Sequence, residues 1–354
     1  MKIVTIIGAR PQFIKSVPVS KELQKNRINE VLINTGQHFD ENMSDIFFSQ
    51  MGILQPNYSL NINSLTHGAM TGQMLIKIEE ILLKEKPNFV LVYGDTNSTL
   101  AGALAASKLN LKLVHIEAGL RSYNMQMPEE INRIVTDRLS SYLFCPTDSA
   151  LNNLEREGFS TFDCKIFKSG DVMQDAAIMF SQFAVSPKIK IPKEFILCTI
   201  HRQENTDDRT NLASLLAALD VISQDKQIIL PLHPRTQKKI IEFDLISKIN
   251  ENIVIIDPVG YLEMLYLIRH CALVITDSGG LQKEAFFSHK FCLTLRNETE
   301  WIELVDNGFN IICGSDFNSI IENYSKIKDF SPDFNLNLYG VGTASKIIVE
   351  SITK

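Results

Sequence analysis

Ten short apolar runs alternate with longer amphipathic stretches along this chain, and that alternation leaves it few folds. In the first half the runs are KIVTII (2–7), EVLIN (30–34), FVLVY (89–93), KLVHI (112–116) and YLFC (142–145). In the second half they are FILCTI (195–200), QIILPL (227–232), NIVII (252–256), ALVIT (272–276) and FCLTL (291–295). Runs this short, apolar on both faces and separated by helical patterns, predict parallel strands covered by helices on both sides. A chain of 354 residues exceeds one ordinary α/β core. The expectation is an α/β protein of two doubly wound domains. SPKIKIPKE (186–194), rich in Pro and Lys, reads as a linker or surface loop just after the first half. Ligands of such sheets bind beyond the carboxyl ends of the strands, which places the site in a cleft between facing domains.

The strand ends are where the polar chemistry gathers. The ALVIT run stops at Asp277 and is followed by Ser278, Gly279, Gly280 and a helix-like segment that carries Glu284. Two glycines between a buried strand and a helix let backbone approach a ligand, and the free N–H groups of a helix start suit a phosphate. The first strand leads into Gly8-Ala9-Arg10-Pro11, with Lys15 on the helix that follows. Asp95 and Asn97 follow FVLVY, and Glu117 and Arg121 follow KLVHI. MPEEINR (127–133) begins a helix with Pro, putting Glu129 and Arg133 four residues apart on one face. His201 and Arg202 follow FILCTI, and PLHPR supplies His233 and Arg235. Each group has a plain structural explanation by itself: Glu129–Arg133 as a helical ion pair, Asp95 and Asn97 as caps, His115 as a hydrogen-bonded core histidine. Together they have the distribution of an active site doing acid–base work on an anionic ligand. Arg10 and the amides at Ser278, Gly279 and Gly280 suit a diphosphate. Asp95, Glu117 and Glu129 supply carboxylates for proton transfer, and His201 stands ready to stabilise or protonate a leaving diphosphate.

Several function classes lose support. Net charge is −6 and no long basic run exists, which speaks against nucleic acid and a membrane patch as partners. The amino-terminal apolar run is too short for a secretory signal, and no run reaches the length of a membrane span. Cys145, Cys164, Cys198, Cys271, Cys292 and Cys313 are scattered without a C-x-x-C pair, which fits buried free thiols in a reducing cytoplasm. The chain lacks G-x-G-x-x-G with a downstream acidic residue, lacks the P-loop lysine motif, and shows no metal-ligand spacing. Neither NAD nor a metal is therefore expected.

Eight ordered motifs resemble those of the non-hydrolysing UDP-N-acetylglucosamine 2-epimerases: GARPQFIK (8–15), GQH (36–38), YGDTNSTLAG (93–102), HIEAGLRS (115–122), MPEEINR, HRQEN (201–205), DSGGLQKEA (277–285) and TEWIELV (299–305). The resemblance implies two Rossmann-like domains in the glycosyltransferase-B arrangement with an interdomain active-site cleft. The expected boundaries are residues 1–170 with 340–354 for the first domain, including a carboxyl-terminal crossover helix, and 171–339 for a UDP-binding second domain. It implies inversion of carbon 2 of a UDP-2-acetamido sugar without a redox cofactor, in a cytoplasmic homodimer. UDP leaves, an unsaturated glycal remains, and UDP adds back with a proton delivered to the other face. Lys15, Asp95, Glu117, Glu129, Arg133 and His201 match the catalytic set. Arg10, His201, Ser278, Gly279, Gly280 and Glu284 match the UDP-binding set, to which His233 is added as a substrate-binding residue.

Gln12 stands where many relatives acting on UDP-N-acetylglucosamine have Glu, and Trp301-Ile302 where many have Arg-Pro. With HFDENMSDIFF (38–48), NMQMPEEINR (124–133) and GDVMQD (170–175), these features resemble a branch acting on UDP-2,3-diacetamido-2,3-dideoxy-D-glucuronate. That branch makes the mannuronate epimer for surface polysaccharide such as lipopolysaccharide O-antigen. A neutral Gln12 would ease repulsion of a sugar carboxylate lying nearby. Some relatives are activated by their own substrate at a second site. Gln37, His38 and Arg202 match that site, but Phe39 and Gln203 replace Arg and weigh against activation here. UDP-N-acetylglucosamine itself is the alternative substrate. A glycosyltransferase of this architecture, a non-catalytic nucleotide-sugar-binding module and a hydrolysing epimerase remain competing readings. The dense carboxylate set disfavours the first two, and product identity decides the third.

Overall fold

In the computed structural model, which describes residues 1–37, 55–327 and 333–354, the chain divides into two compact units. One unit is Met1–Met179 with Asn337–Lys354, and the other is Phe180–Leu336. Both are doubly wound α/β bodies.

The first unit contains β1 (Lys2–Ile7), β2 (Asn29–Asn34), β3 (Tyr58–Ser59), β4 (Phe89–Tyr93), β5 (Lys112–Ile116), β6 (Tyr142–Cys145) and β7 (Lys165–Lys168). Among the described residues they form one parallel sheet in the order β3-β2-β1-β4-β5-β6-β7. Val4, Ile6, Val90 and Val92 are wholly shielded, as expected for central strands covered on both faces. Strand order reverses between β1 and β4, and chain leaving these neighbours diverges there. Gly8 lies at that divergence. A Cβ on it would fall 1.9 Å from Thr35 Oγ1 and 2.4 Å from Ser98 Oγ, so no larger residue fits.

The second unit contains β8 (Ile196–Thr199), β9 (Ile228–Pro231), β10 (Ile253–Ile256), β11 (Leu273–Thr276), β12 (Cys292–Thr294) and β13 (Asn310–Ile312). They form a second parallel sheet in the order β10-β9-β8-β11-β12-β13, which reverses between β8 and β11. Residues 186–194 carry no helix or strand.

The last helix, Ala344–Thr353, packs on the first, Arg10–Lys25. Its start is capped from 170 residues away. Asp175 accepts the Ala344 N–H at 3.1 Å, the Ser345 N–H at 2.8 Å and the Ser345 hydroxyl at 2.6 Å. Those donors pull the Asp175 carboxyl down, but burial outweighs them and leaves it raised. The aspartates of GDVMQD thus serve the returning chain, since the Asp171 N–H donates to the Tyr339 carbonyl at 2.8 Å. No described helix is long and apolar enough to cross a membrane.

Candidate active site

Because both sheets are parallel, the loops leaving neighbouring strands emerge along one edge of each. In the first unit, β1 delivers Arg10 to the start of its helix, where the residue is half-buried. One turn further, the Lys15 ammonium forms an ion pair with Glu117 Oε2, with side chains 14% and 5% exposed. Asp95 follows β4 and meets Arg133 at 2.5 Å. Four of the expected catalytic residues are therefore joined as two cation–carboxylate pairs at the ends of adjacent strands.

Glu129 behaves differently from the simple helical pair. It is exposed in the first turn of the helix Pro128–Leu139. Arg133 turns inward to Asp95 and to Glu130, whose Oε2 it meets at 2.8 Å. Glu130 also accepts the Ser122 and Tyr123 N–H groups, each at 2.9 Å. Burial alone would raise the Glu130 carboxyl, but these donors and the Arg133 guanidinium hold it below the usual range. The sequence pattern pointed to the i,i+4 partner, and the structure uses i,i+3 because Glu130 faces the interior.

Glu117 has a φ of +72°, in the left-handed region. For a residue with a Cβ this conformation costs about 1–2 kcal/mol, and such strain concentrates at working sites. The Glu117 and Ala118 N–H groups both donate to the Phe144 carbonyl, at 3.1 and 3.0 Å. His115 is a fully buried core histidine, as its place in an apolar run predicts, bonded to Asp137 and to the Gly94 carbonyl.

Gln12 is turned into the fold. It is 3% exposed, and its Oε1 accepts the Gly8 and Ala9 N–H groups at 2.9 and 3.0 Å. Its Nε2 donates to the Tyr93 carbonyl at 2.7 Å and to Thr99 Oγ1 at 3.0 Å. The amide clamps the loop after β1 to the loop after β4. Its hydrogen-bonding capacity is spent inside the fold. Gln37 is similarly engaged, accepting the Ser98 N–H at 3.0 Å and hydroxyl at 2.8 Å. His38, Phe39 and the rest of the 38–48 motif lie outside the described residues.

In the second unit the centre is Asp277, wholly buried after β11. It accepts the backbone N–H groups of His201 and Arg202, each at 3.0 Å, and the Asn205 amide at 3.1 Å. Its Oδ1 also lies 3.1 Å from His201 Nδ1. Burial works to raise the Asp277 carboxyl, but His201 and the N–H donors outweigh it and lower it. His201 is half exposed and held through its Nδ1. His233 caps the helix Pro234–Glu242, its Nδ1 accepting the Arg235 N–H at 3.2 Å. Burial, His201 and Arg235 lower its pKa in that order. Asp277 precedes the cap of the next helix and is not itself the cap. The cap is Ser278, whose side chain accepts from the Leu281 N–H.

Ser278 opens the helix Gly279–Phe287, with Glu284 buried one turn in. A Cβ on Gly279 would approach Glu300 Oε1 to 2.5 Å, whereas one on Gly280 meets nothing within 4 Å. Glu300 is held by Arg296 at 2.9 Å, and the Trp301 indole donates to the Gly279 carbonyl at 2.9 Å. Gly279→Ala is therefore expected to cost about 1–3 kcal/mol by overpacking. Gly280→Ala should be neutral or gain up to about 1 kcal/mol. Urea unfolding of the two variants checks this, and equal stabilities would refute it.

No cluster of three His, Cys, Asp or Glu side chains suited to a metal occurs among the described residues. All six cysteines are free thiols, five of them buried.

The sequence matches the family described as UDP-N-acetylglucosamine 2-epimerase over residues 21–353. It is 53% identical to the UDP-2,3-diacetamido-2,3-dideoxy-D-glucuronate 2-epimerase of Pseudomonas aeruginosa, covering 100% of both chains. Among solved structures, it is similar to Methanocaldococcus jannaschii UDP-GlcNAc 2-epimerase in complex with UDP-GlcNAc and UDP. That match has a TM-score of 0.88 at 43% identity, covering 100% of this chain and 99% of the other. The Neisseria meningitidis enzyme bound to UDP-GlcNAc gives a TM-score of 0.89 at 34% identity over 100% of both chains.

Proposed function

We propose, from the premise that this chain belongs to the UDP-N-acetylglucosamine 2-epimerase family, that it converts UDP-2,3-diacetamido-2,3-dideoxy-D-glucuronate to its mannuronate epimer. The observation that carries the reaction is the pair of contacts Lys15–Glu117 and Arg133–Asp95, which bring carboxylates and cations to neighbouring strand ends. The full-length match to the Pseudomonas aeruginosa enzyme supports the choice of sugar. UDP-N-acetylglucosamine, present in both solved relatives, is the second substrate to test.

The hydrogen on carbon 2 is not acidic, because no carbonyl adjoins it. Its removal has to accompany departure of the diphosphate from carbon 1. A carboxylate takes the proton, the carbon 1–oxygen bond breaks with its electrons going to UDP, and a double bond forms between carbons 1 and 2. Return of UDP to carbon 1, with a proton delivered to carbon 2 from the opposite face, completes the inversion. This sequence is redox-neutral and calls for no nicotinamide. Glu117, Asp95 and the exposed Glu129 supply the carboxylates, each contributing about 10²–10⁴-fold as acid or base. Lys15 and Arg133 orient two of them. The Ser278 N–H is spent on Thr276 Oγ1 at 2.9 Å, so Arg10, His201, His233, the Ser278 hydroxyl and the N–H groups of Gly279 and Gly280 take the diphosphate, whose growing charge they stabilise. Glu284 takes the ribose. The enzyme acts in the cytoplasm as a homodimer and feeds surface-polysaccharide synthesis.

Incubation in heavy water with each sugar nucleotide tests this reading. Deuterium at carbon 2 of a product that still carries UDP is the expected result, and the faster substrate names the sugar. Free sugar with free UDP would replace the reading by a hydrolytic one. Absence of exchange with either substrate would overturn it.

A further inference from the structure

We propose that Asp137 is a positioning residue for both acid–base loops of the first unit, acting through His115. The proposal rests on the epimerase reading above and concerns a carboxylate sealed from solvent on the helix Pro128–Leu139.

Asp137 Oδ1 accepts from His115 Nδ1 at 2.6 Å. Its Oδ2 accepts from the Gly119 N–H at 3.1 Å and from Arg121 Nη1 at 2.7 Å. The three donors bracket Glu117 in the chain, two residues before it and two and four after. Glu117 itself sits at a φ of +72°. A residue with a Cβ does not hold that conformation by preference, and relaxation to negative φ would swing its carboxylate off Lys15. The bracket fixes the chain on either side.

His115 extends the grip to the other loop. Its Nε2 donates to the Gly94 carbonyl at 2.8 Å, in the peptide that leads into Asp95. Both ring nitrogens thus face an oxygen, one on each loop's support. The same helix finishes the job from its amino-terminal side. Asn132 donates to the Asp95 carbonyl at 2.8 Å, and Arg133 holds the Asp95 carboxylate. One carboxylate thus sets the backbone beneath two working ones. Burial opposes its charge, but His115 and then Arg121 outweigh that and keep the Asp137 carboxyl low. Arg121 is in turn shared with Glu157, at 2.6 and 2.8 Å.

Asparagine at this position keeps the size but turns an NH₂ toward donors. For Asp137→Asn, the expected result is a fall in kcat of about 30-fold or more, with KM within about threefold. The split follows because the diphosphate-holding groups of the second unit are untouched. Loss of function through Glu117 also predicts non-additivity: Asp137→Asn with Glu117→Gln should be no more than about threefold slower than Glu117→Gln alone. A kcat within threefold of wild type, or losses that multiply in the double variant, overturns the proposal. Thermal melting establishes that each variant is folded. Should Asp137→Asn not fold, His115→Gln carries the same test, since it removes the bridge to Gly94 and leaves Asp137 on Arg121 and Gly119. Deuterium exchange by the wild type is run alongside. Its absence sinks the epimerase reading, whereas an active wild type with an unaffected variant sinks the positioning role alone.

Discussion

Glu117→Gln should fold, bind UDP, and incorporate deuterium at carbon 2 of its substrate about 10²–10⁴ times more slowly than the wild type. The change is isosteric and leaves the N–H groups of residues 117 and 118 on the Phe144 carbonyl. What disappears is the negative charge beside Lys15, and with it the capacity to accept a proton. The loss should fall on kcat, because the groups proposed to bind UDP belong mainly to the second unit. Lys15 would be left with a neutral neighbour in a site where its side chain is 14% exposed. Stripping a buried cation of its partner costs about 3–5 kcal/mol when water cannot reach it, and residual solvent contact keeps the cost here below that range. Comparing kcat, KM and urea unfolding separates the two effects. Wild-type exchange in this variant would remove Glu117 from the proton-transfer set.

Asp277→Ala should have the largest effect on stability. It strips the acceptor from the His201 and Arg202 N–H groups and from the Asn205 amide at one stroke. Each buried donor left without a partner costs about 1–3 kcal/mol. The Asn205 amide keeps the Leu295 carbonyl at 2.9 Å and the two backbone donors are only partly buried, so the total loss is about 1–3 kcal/mol. Asp277→Asn keeps one acceptor and should be milder, yet it still releases His201 and weakens UDP binding, measurable by calorimetry. The carboxyl titrates lower in the folded protein than its ordinary value of 3.8. Its contribution is therefore complete above that pH and lost as pH falls through the lower folded value. Acid unfolding of wild type and Asp277→Asn should converge in that window. A variant as stable as wild type at pH 7 would contradict this account.

Much of the fold was legible because parallel strands announce themselves. All ten apolar runs became β-strands, with ends that differ by at most one residue. The three strands that sequence reading missed lack that signature. β3 is two residues long, β7 is KIFK with two exposed lysines, and β13 is three residues long. The local pairing of site residues was harder to see. Lys15 with Glu117 and Asp95 with Arg133 each join a helix to a loop that no periodicity connects to it. Asp137 gave no signal at all, since a lone carboxylate on an amphipathic helix reads as a solvated face until its three donors are placed around it. Gln12 was read as a specificity residue because of its chemical type. Its role in clamping two loops depends on burial, which one sequence position does not reveal.

The cap that Asp175 provides for Ala344 and Ser345 has a bearing on how the molecule is made. A ribosome moves from one end to the other, so it releases all of Phe180–Leu336 before the piece that docks on Arg10–Lys25. Until then the newborn first half has an apolar groove along that helix and an aspartate without its donors. Vectorial synthesis thus leaves this body ajar until all of the other has been made, and a fusion partner joined after Lys354 would be tethered to the half of the protein that was begun first.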